Sequence, residues 1–163
     1  MNEFLQKFPR NLIAKSTLIA LALVISPHST LATLGQTEAS IQADQRLLSG
    51  LLEKTRTTST FKISEMKTNR SSKILQYINL SGSVFGVTWT GEDPGEIDAL
   101  LGTFAQPYHD FEMANPKQRL FIPYRKITLN GAIVEFWHTR KQVKGRAYIP
   151  MAIPLGMKVD QIQ

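Results

Sequence analysis

The sequence predicts an α+β fold: a mainly antiparallel sheet of five or six strands, with an N-terminal helix and a central helix packed on it. Three observations carry this expectation. Apolar residues recur at helical spacing in two separate stretches, from Ile41 to Leu52 and from Ile97 to Leu101. The stretches between and after them alternate with period two. The links joining those alternating stretches are too short for a parallel crossover, so neighbouring strands must run antiparallel.

Residues 1–32 read as an address. A short basic head (Lys7, Arg10 and Lys15 against Glu3) precedes the apolar run 18–25 and a small-x-small exit at Thr30 and Ala32. These are the three parts of a secretory signal cleaved after Ala32. The apolar run is shorter than the ~20 residues a spanning helix needs, so no stable membrane span is expected after cleavage. Residues 33–163 then form one domain, exported to the periplasm or beyond.

Residues 33–56 read as a helix, with Ile41, Leu47, Leu48, Leu51 and Leu52 on one stripe, although Gly50 weakens it. From Phe61 the period becomes two, giving strands at 61–66, 73–80 and 84–90. Phe85, Val87 and Trp89 are expected on one face of the third strand. Ser81-Gly82-Ser83 is short enough for a hairpin. Residues 91–95 break the sheet. A helix follows at 96–102, with Asp93 as N-cap and Pro94 in its first turn, continuing past Pro107 towards Asn115. Strands at 120–129 and 132–139 flank Asn130-Gly131, a strong hairpin signal. A last strand covers 145–150, and the remaining residues trail off.

Composition excludes several function classes. The chain has 163 residues, 42% apolar and 20% charged, and no cysteine. Disulfides, thiolate catalysis and zinc–thiolate sites are therefore ruled out. The net charge of +6 favours polyanions by long-range attraction. No basic helix or aromatic ladder accompanies it, so nucleic acid is not an expected partner. No phosphate loop, G-x-S-x-G nucleophile motif or metal-ligand spacing is present, and no cofactor is expected.

The residues Val84, Phe85, Val87, Trp89, Gly91, Leu100, Leu101 and Gly102 form one motif, and His138, Arg140, Gly145, Arg146, Ala147, Tyr148 and Pro150 form a second. Together they resemble a bacterial family known as domain of unknown function 2844. Trp137 stands where the family pattern has glycine, and the spacing from Arg140 to Gly145 is longer and more basic than its pattern. The resemblance implies an exported protein of about this size. It implies structural roles for Phe85, Trp89, Gly91, Leu101, Gly102, Gly145 and Pro150, and it implies no activity.

The segment HTRKQVKGRAYIP (138–150) is the densest in cations. Arg140, Lys141, Lys144 and Arg146 surround a turn, and an arginine fork grips carboxylate or phosphate. The candidate anion-binding residues are His138, Arg140, Arg146 and Tyr148. The bland reading of the same cations is a charged sheet edge that discourages aggregation. Arg146 lies within a strand, which predicts a defined partner: Glu135, Glu65 or a ligand. His138 shares a face with Val134 and Phe136, the usual place of a structural histidine. His109 neighbours Asp110, but adjacent residues point in different directions. The acidic group Glu92, Asp93, Glu96 and Asp98 fits helix N-terminal charge. Trp89, Phe136 and Trp137 are expected in the core or on a groove wall.

The function these features suggest is a non-enzymatic envelope protein that binds a small ligand or a protein partner. The alternative is an envelope-acting, hydrolase-like enzyme using His138 or His109 with Arg146 as anion clamp.

Overall fold

A computed structural model describes residues 34–91, 97–116, 122–139 and 142–163. The signal segment 1–32, the helix start at Asp93 and Pro94, and Arg140 and Lys141 lie outside the described residues.

The chain builds one antiparallel sheet of seven strands, more than the five or six expected: β1 (Leu51–Thr57), β2 (Phe61–Lys67), β3 (Lys73–Asn79), β4 (Val84–Gly91), β5 (Tyr124–Thr128), β6 (Ile133–His138) and β7 (Val143–Tyr148). The order across the sheet is β1-β2-β3-β4-β7-β6-β5. Four strands run as a meander. The chain then crosses over through helices and returns as a second meander whose last strand closes onto β4.

The extra strand comes from the expected N-terminal helix. That helix is only α1 (Ile41–Leu47), preceded by a 3-10 turn at Glu38–Ser40. Ser49 takes a positive φ of 47° and the Gly50 N–H bonds back to the Gln45 carbonyl at 2.8 Å, which ends the helix. The apolar stripe thus runs across a break. Leu48 is buried, whereas Leu51 and Leu52 are exposed on β1. Every residue of β1 is exposed. Its edge carries Glu53, Lys54 and Arg56 and a bulge between Leu52 and Lys54, features that discourage further strand pairing.

The central helix is α2 (Ile97–Leu101), a 3-10 turn at Gly102–Phe104 and α3 (Ala105–Ala114). Gly102 sits at φ +56°, in the left-handed region that glycine enters most easily, and there the helix changes direction. Pro107 is tolerated because it lies in the first turn of α3, where backbone N–H groups lack helical partners anyway. The Asn130-Gly131 hairpin forms with Gly131 at φ +93°.

Two cores lie on opposite faces of the sheet. The larger joins Met66, Ile74, Ile78, Val87, Trp89, Val134 and Phe136 to Ile41, Ile97, Leu100, Leu101 and Tyr108 from the helices and to Leu48 just past α1. Arg125 of β5 ties α3 to this face through Glu112 at 2.6 Å, a pair almost wholly removed from water. The smaller core joins Leu75, Tyr77, Phe85 and Tyr148 to Ile162. Phe85 is therefore not on the face of Val87 and Trp89. Tyr77 pairs with Gly86 and Ile78 with Val84, so Phe85 is the extra residue of a bulge and turns to the other side.

The C-terminal residues do not trail off. They cross this second face through 3-10 turns at Pro150–Ala152 and Val159–Gln161. Ile162 is completely buried, the Tyr77 hydroxyl donates to the Gln163 carbonyl at 2.8 Å, and Arg146 Nη1 donates to the carbonyls of Val159 and Ile162.

Candidate functional site

Alternation along β7 sends Lys144, Arg146 and Tyr148 to the face crossed by the C-terminal segment, and Val143, Gly145 and Ala147 to the helical face. On β6, Glu135 and Trp137 share the face of Arg146, since Glu135 pairs with Arg146 and Trp137 with Lys144. On β4, Thr88 and Thr90 face the same way, opposite Arg146 and Lys144. These side chains and the C-terminal segment enclose a cleft of about 260 Å³, lined by Thr88, Thr90, Trp137, Lys144, Arg146, Ile162 and Gln163 together with Trp89 and Gly145 of the intervening strand positions.

Arg146 is rigidly held in its wall. Its Nε donates to Glu135 Oε2 at 2.5 Å, and its guanidinium carbon lies 5.1 Å from the Trp137 ring centre and 5.6 Å from that of Tyr148. Of the two carboxylates considered for it, Glu135 is the partner. Glu65 pairs instead with Lys73 at 2.6 Å and more loosely with Arg56. The Tyr124 hydroxyl donates to the other Glu135 oxygen at 2.6 Å. Burial alone would raise the Glu135 carboxyl, but the hydrogen bonds from Tyr124 and Arg146 win and hold it below the ordinary carboxylate value. The same hydrogen bond, reinforced by burial, pushes Tyr124 up to about 12.

Of the three candidate anion-binding residues that are described, His138, Arg146 and Tyr148, only Arg146 lines the cleft. Tyr148 is 4% exposed and belongs to the smaller core. His138 points to the helical face, its ring 6.1 Å from that of Phe136, and the sheet lies between it and Arg146. Arg140 lies outside the described residues. His109 is also on the helical side, where its Nε2 meets Asp98 Oδ2 at 2.9 Å. The neighbouring Asp110 accepts from Gln106 instead. Neither histidine meets Arg146, so the structure does not bring together the groups of the enzymatic alternative. Among the described residues no group of three or more His, Asp or Glu side chains is placed to hold a metal ion.

Sequence alone gives Lys144 and Trp137 no shared role and singles out neither Thr88 nor Thr90. The signal was their alternation, which becomes meaningful only once β4, β7 and β6 are known to be neighbours. The aromatic residues divide as the expectation allowed. Trp89 and Phe136 meet edge-to-face at 5.6 Å in the core, while Trp137 walls the cleft.

The two sequence motifs meet on adjacent strands. Trp89 of β4 covers Gly145 of β7, where a Cβ would stand 2.1 Å from the indole Cζ2. Gly91 packs as closely on Ser72. A family model described as "Protein of unknown function (DUF2844)" matches residues 30–162. The chain belongs to the DUF2844 family. No curated protein and no solved structure matches it. The DUF2844 match spans every strand of the sheet and the C-terminal segment through Ile162, so the whole cleft apart from Gln163 lies within it. Among the described residues no helix is long and apolar enough to cross a membrane.

Proposed function

We propose that this DUF2844 chain is an exported, non-enzymatic envelope protein that binds a small anionic ligand in the cleft between β4, β7, β6 and the C-terminal segment. One observation carries the reading: the cleft sets the exposed Lys144, the fixed guanidinium of Arg146 and two threonines around one concavity. Cations and hydroxyls around one concavity suit a carboxylate or phosphate, and Trp137 supplies an apolar wall. Arg146 is partly neutralised by Glu135, so its part is to shape the wall, and Lys144 supplies the main attraction. Export rests on the charged head, apolar run and small-residue exit of residues 1–32.

Native mass spectrometry of the protein recovered from the cell envelope tests both halves. The expected result is a chain beginning at Thr33 that carries an additional bound species, and loss of that species in Lys144→Gln. A chain that keeps residues 1–32 and remains in the cytoplasm would overturn export. A bound species retained in both Lys144→Gln and Trp137→Ala would overturn the site.

A further inference from the structure

Lys144 of the cleft belongs to a row of lysines that only the register reveals. Direct cross-strand partners point to the same face of a sheet. Following partners from strand to strand gives Lys67 opposite Lys73, Lys73 opposite Thr90, Thr90 opposite Lys144, and Lys144 opposite Trp137. Lys67, Lys73 and Lys144 are all exposed. In the next row Lys54 faces Glu65, beside Arg56. The strands of this face carry Lys54, Arg56, Lys67, Lys73, Lys126, Lys144 and Arg146, against Glu65 and Glu135, with Glu53 at the edge bulge and Asp160 in the C-terminal segment. Glu65 pairs with Lys73 and Arg56, and Glu135 with Arg146, so Lys73 enters the row partly neutralised and Lys67 and Lys144 supply most of its charge.

We propose that the cleft is the end of a track for a linear acidic polysaccharide, which lies across β2, β3, β4 and β7 along this row. The proposal rests on the anion-binding reading of the cleft and names its ligand class. Neighbouring strands stand ~4.8 Å apart, so Lys73 and Lys144 are separated by roughly 10 Å and Lys67 lies about 5 Å further on. That spacing suits a polymer with one carboxylate per sugar or per pair of sugars. Duplex nucleic acid carries a charge every ~1.7 Å and draws on many more cations than this row offers. Single-stranded nucleic acid needs aromatic faces for successive bases, and here the aromatic groups sit at one end only, at Trp137 and its neighbour Tyr124. The hydroxyl of Thr90, between Lys73 and Lys144, gives a sugar a hydrogen-bonding partner midway along the row.

Isothermal titration of the purified protein with galacturonic acid, with oligogalacturonates of increasing length, with their methyl esters and with a single-stranded oligonucleotide tests this. The expected result is measurable monomer binding and an affinity that climbs roughly tenfold or more with length, because each added site binds at high effective concentration. The methyl esters are expected to lose that gain. Lys67→Gln, which removes an exposed side chain, is expected to erase part of the length dependence while leaving the monomer unchanged. Lys67→Gln with Lys73→Gln is expected to erase most of it, and Lys144→Gln to weaken every length. Equal affinity for monomer and oligomer would overturn the track and leave the cleft standing. No binding of any galacturonate would overturn the track, and no binding of inorganic phosphate either, titrated alongside, would overturn the cleft as well. Tighter binding of the oligonucleotide would replace the polysaccharide with nucleic acid.

Discussion

Trp89 covers Gly145 so closely that no side chain fits beneath it: a Cβ on Gly145 would lie 2.1 Å from Cζ2 and 2.3 Å from Cε2 of the indole. The contact joins β4 to β7, the one seam where the two meanders of the sheet meet. It also explains why tryptophan and glycine occur in separate motifs of the sequence, more than fifty positions apart.

Gly145→Ala is therefore expected to destabilise the fold by about 3 kcal/mol or more, since the indole is packed against Phe136 and has little room to retreat. Urea denaturation of the single variants and of Gly145→Ala combined with Trp89→Leu checks this. The double variant is expected to recover part of the loss, giving a coupling energy of about 1 kcal/mol or more. Strict additivity would refute the contact.

Arg146 is the clasp between the sheet and the C-terminal segment. Arg146→Met leaves Glu135 buried without its cation and releases the carbonyls of Val159 and Ile162, an expected cost of about 3–5 kcal/mol. Arg146→Met with Glu135→Leu is expected to cost less than Arg146→Met alone, because no unpaired charge remains. Hydrogen exchange at Ile162, whose N–H donates to the Val159 carbonyl, is expected to accelerate in Arg146→Met.

Ile162→Ala tests the second core separately. The side chain is fully buried against Tyr77, Phe85 and Tyr148, so its truncation is expected to cost about 2–5 kcal/mol in thermal or urea unfolding. An effect near zero would mean that the segment merely lies on the surface.

The Tyr124–Glu135 pair predicts both ends of the stability profile. Burial opposes the charge on Glu135, but its hydrogen bonds depress the folded value below 4.5, so its contribution is full above that pH and is lost as pH falls through the folded value. The hydrogen bond from Lys73 depresses Glu65 in the same way and adds to the acid limb. Tyr124 is raised from 10.0 to about 12, so its contribution is full below pH 10.0 and disappears between there and about 12. Burial also raises Tyr77 and Tyr148, so absorbance titration at alkaline pH is expected to show several late-ionising tyrosines, with the late amplitude reduced by one tyrosine in Tyr124→Phe. A Tyr124→Phe profile identical to wild type would refute the pairing.

Much of the architecture was readable from order along the chain. Period-two alternation located β2, β3, β4, β6 and β7, the Ser81-Gly82-Ser83 and Asn130-Gly131 turns marked their hairpins, and the spacing of Ile97, Leu100 and Leu101 marked the central helix. These are local properties: one face must be apolar and one link must be short, whatever the rest of the chain does. The N-terminal helix misled because Leu51 and Leu52 continue the helical stripe by coincidence. Pairing with β2 outweighed that stripe once Ser49 and Gly50 had ended the helix.

The site was less legible, for a physical reason. In the sequence Arg146 had two possible carboxylates and a possible ligand, and only the pairing of β6 with β7 chose Glu135. His138 and Arg146 are eight positions apart on adjoining strands, yet they stand on opposite faces because alternation and register together decide direction. The bulge at Phe85 reversed one side chain that alternation alone had placed wrongly. The sequence by itself determined the family, the antiparallel sheet and the position of most strands, because those follow from local periodicity and turn chemistry. Tertiary structure alone decided which strands are neighbours, which face each cation meets and that the C-terminal segment closes the cleft, because those depend on pairing between residues far apart in the chain.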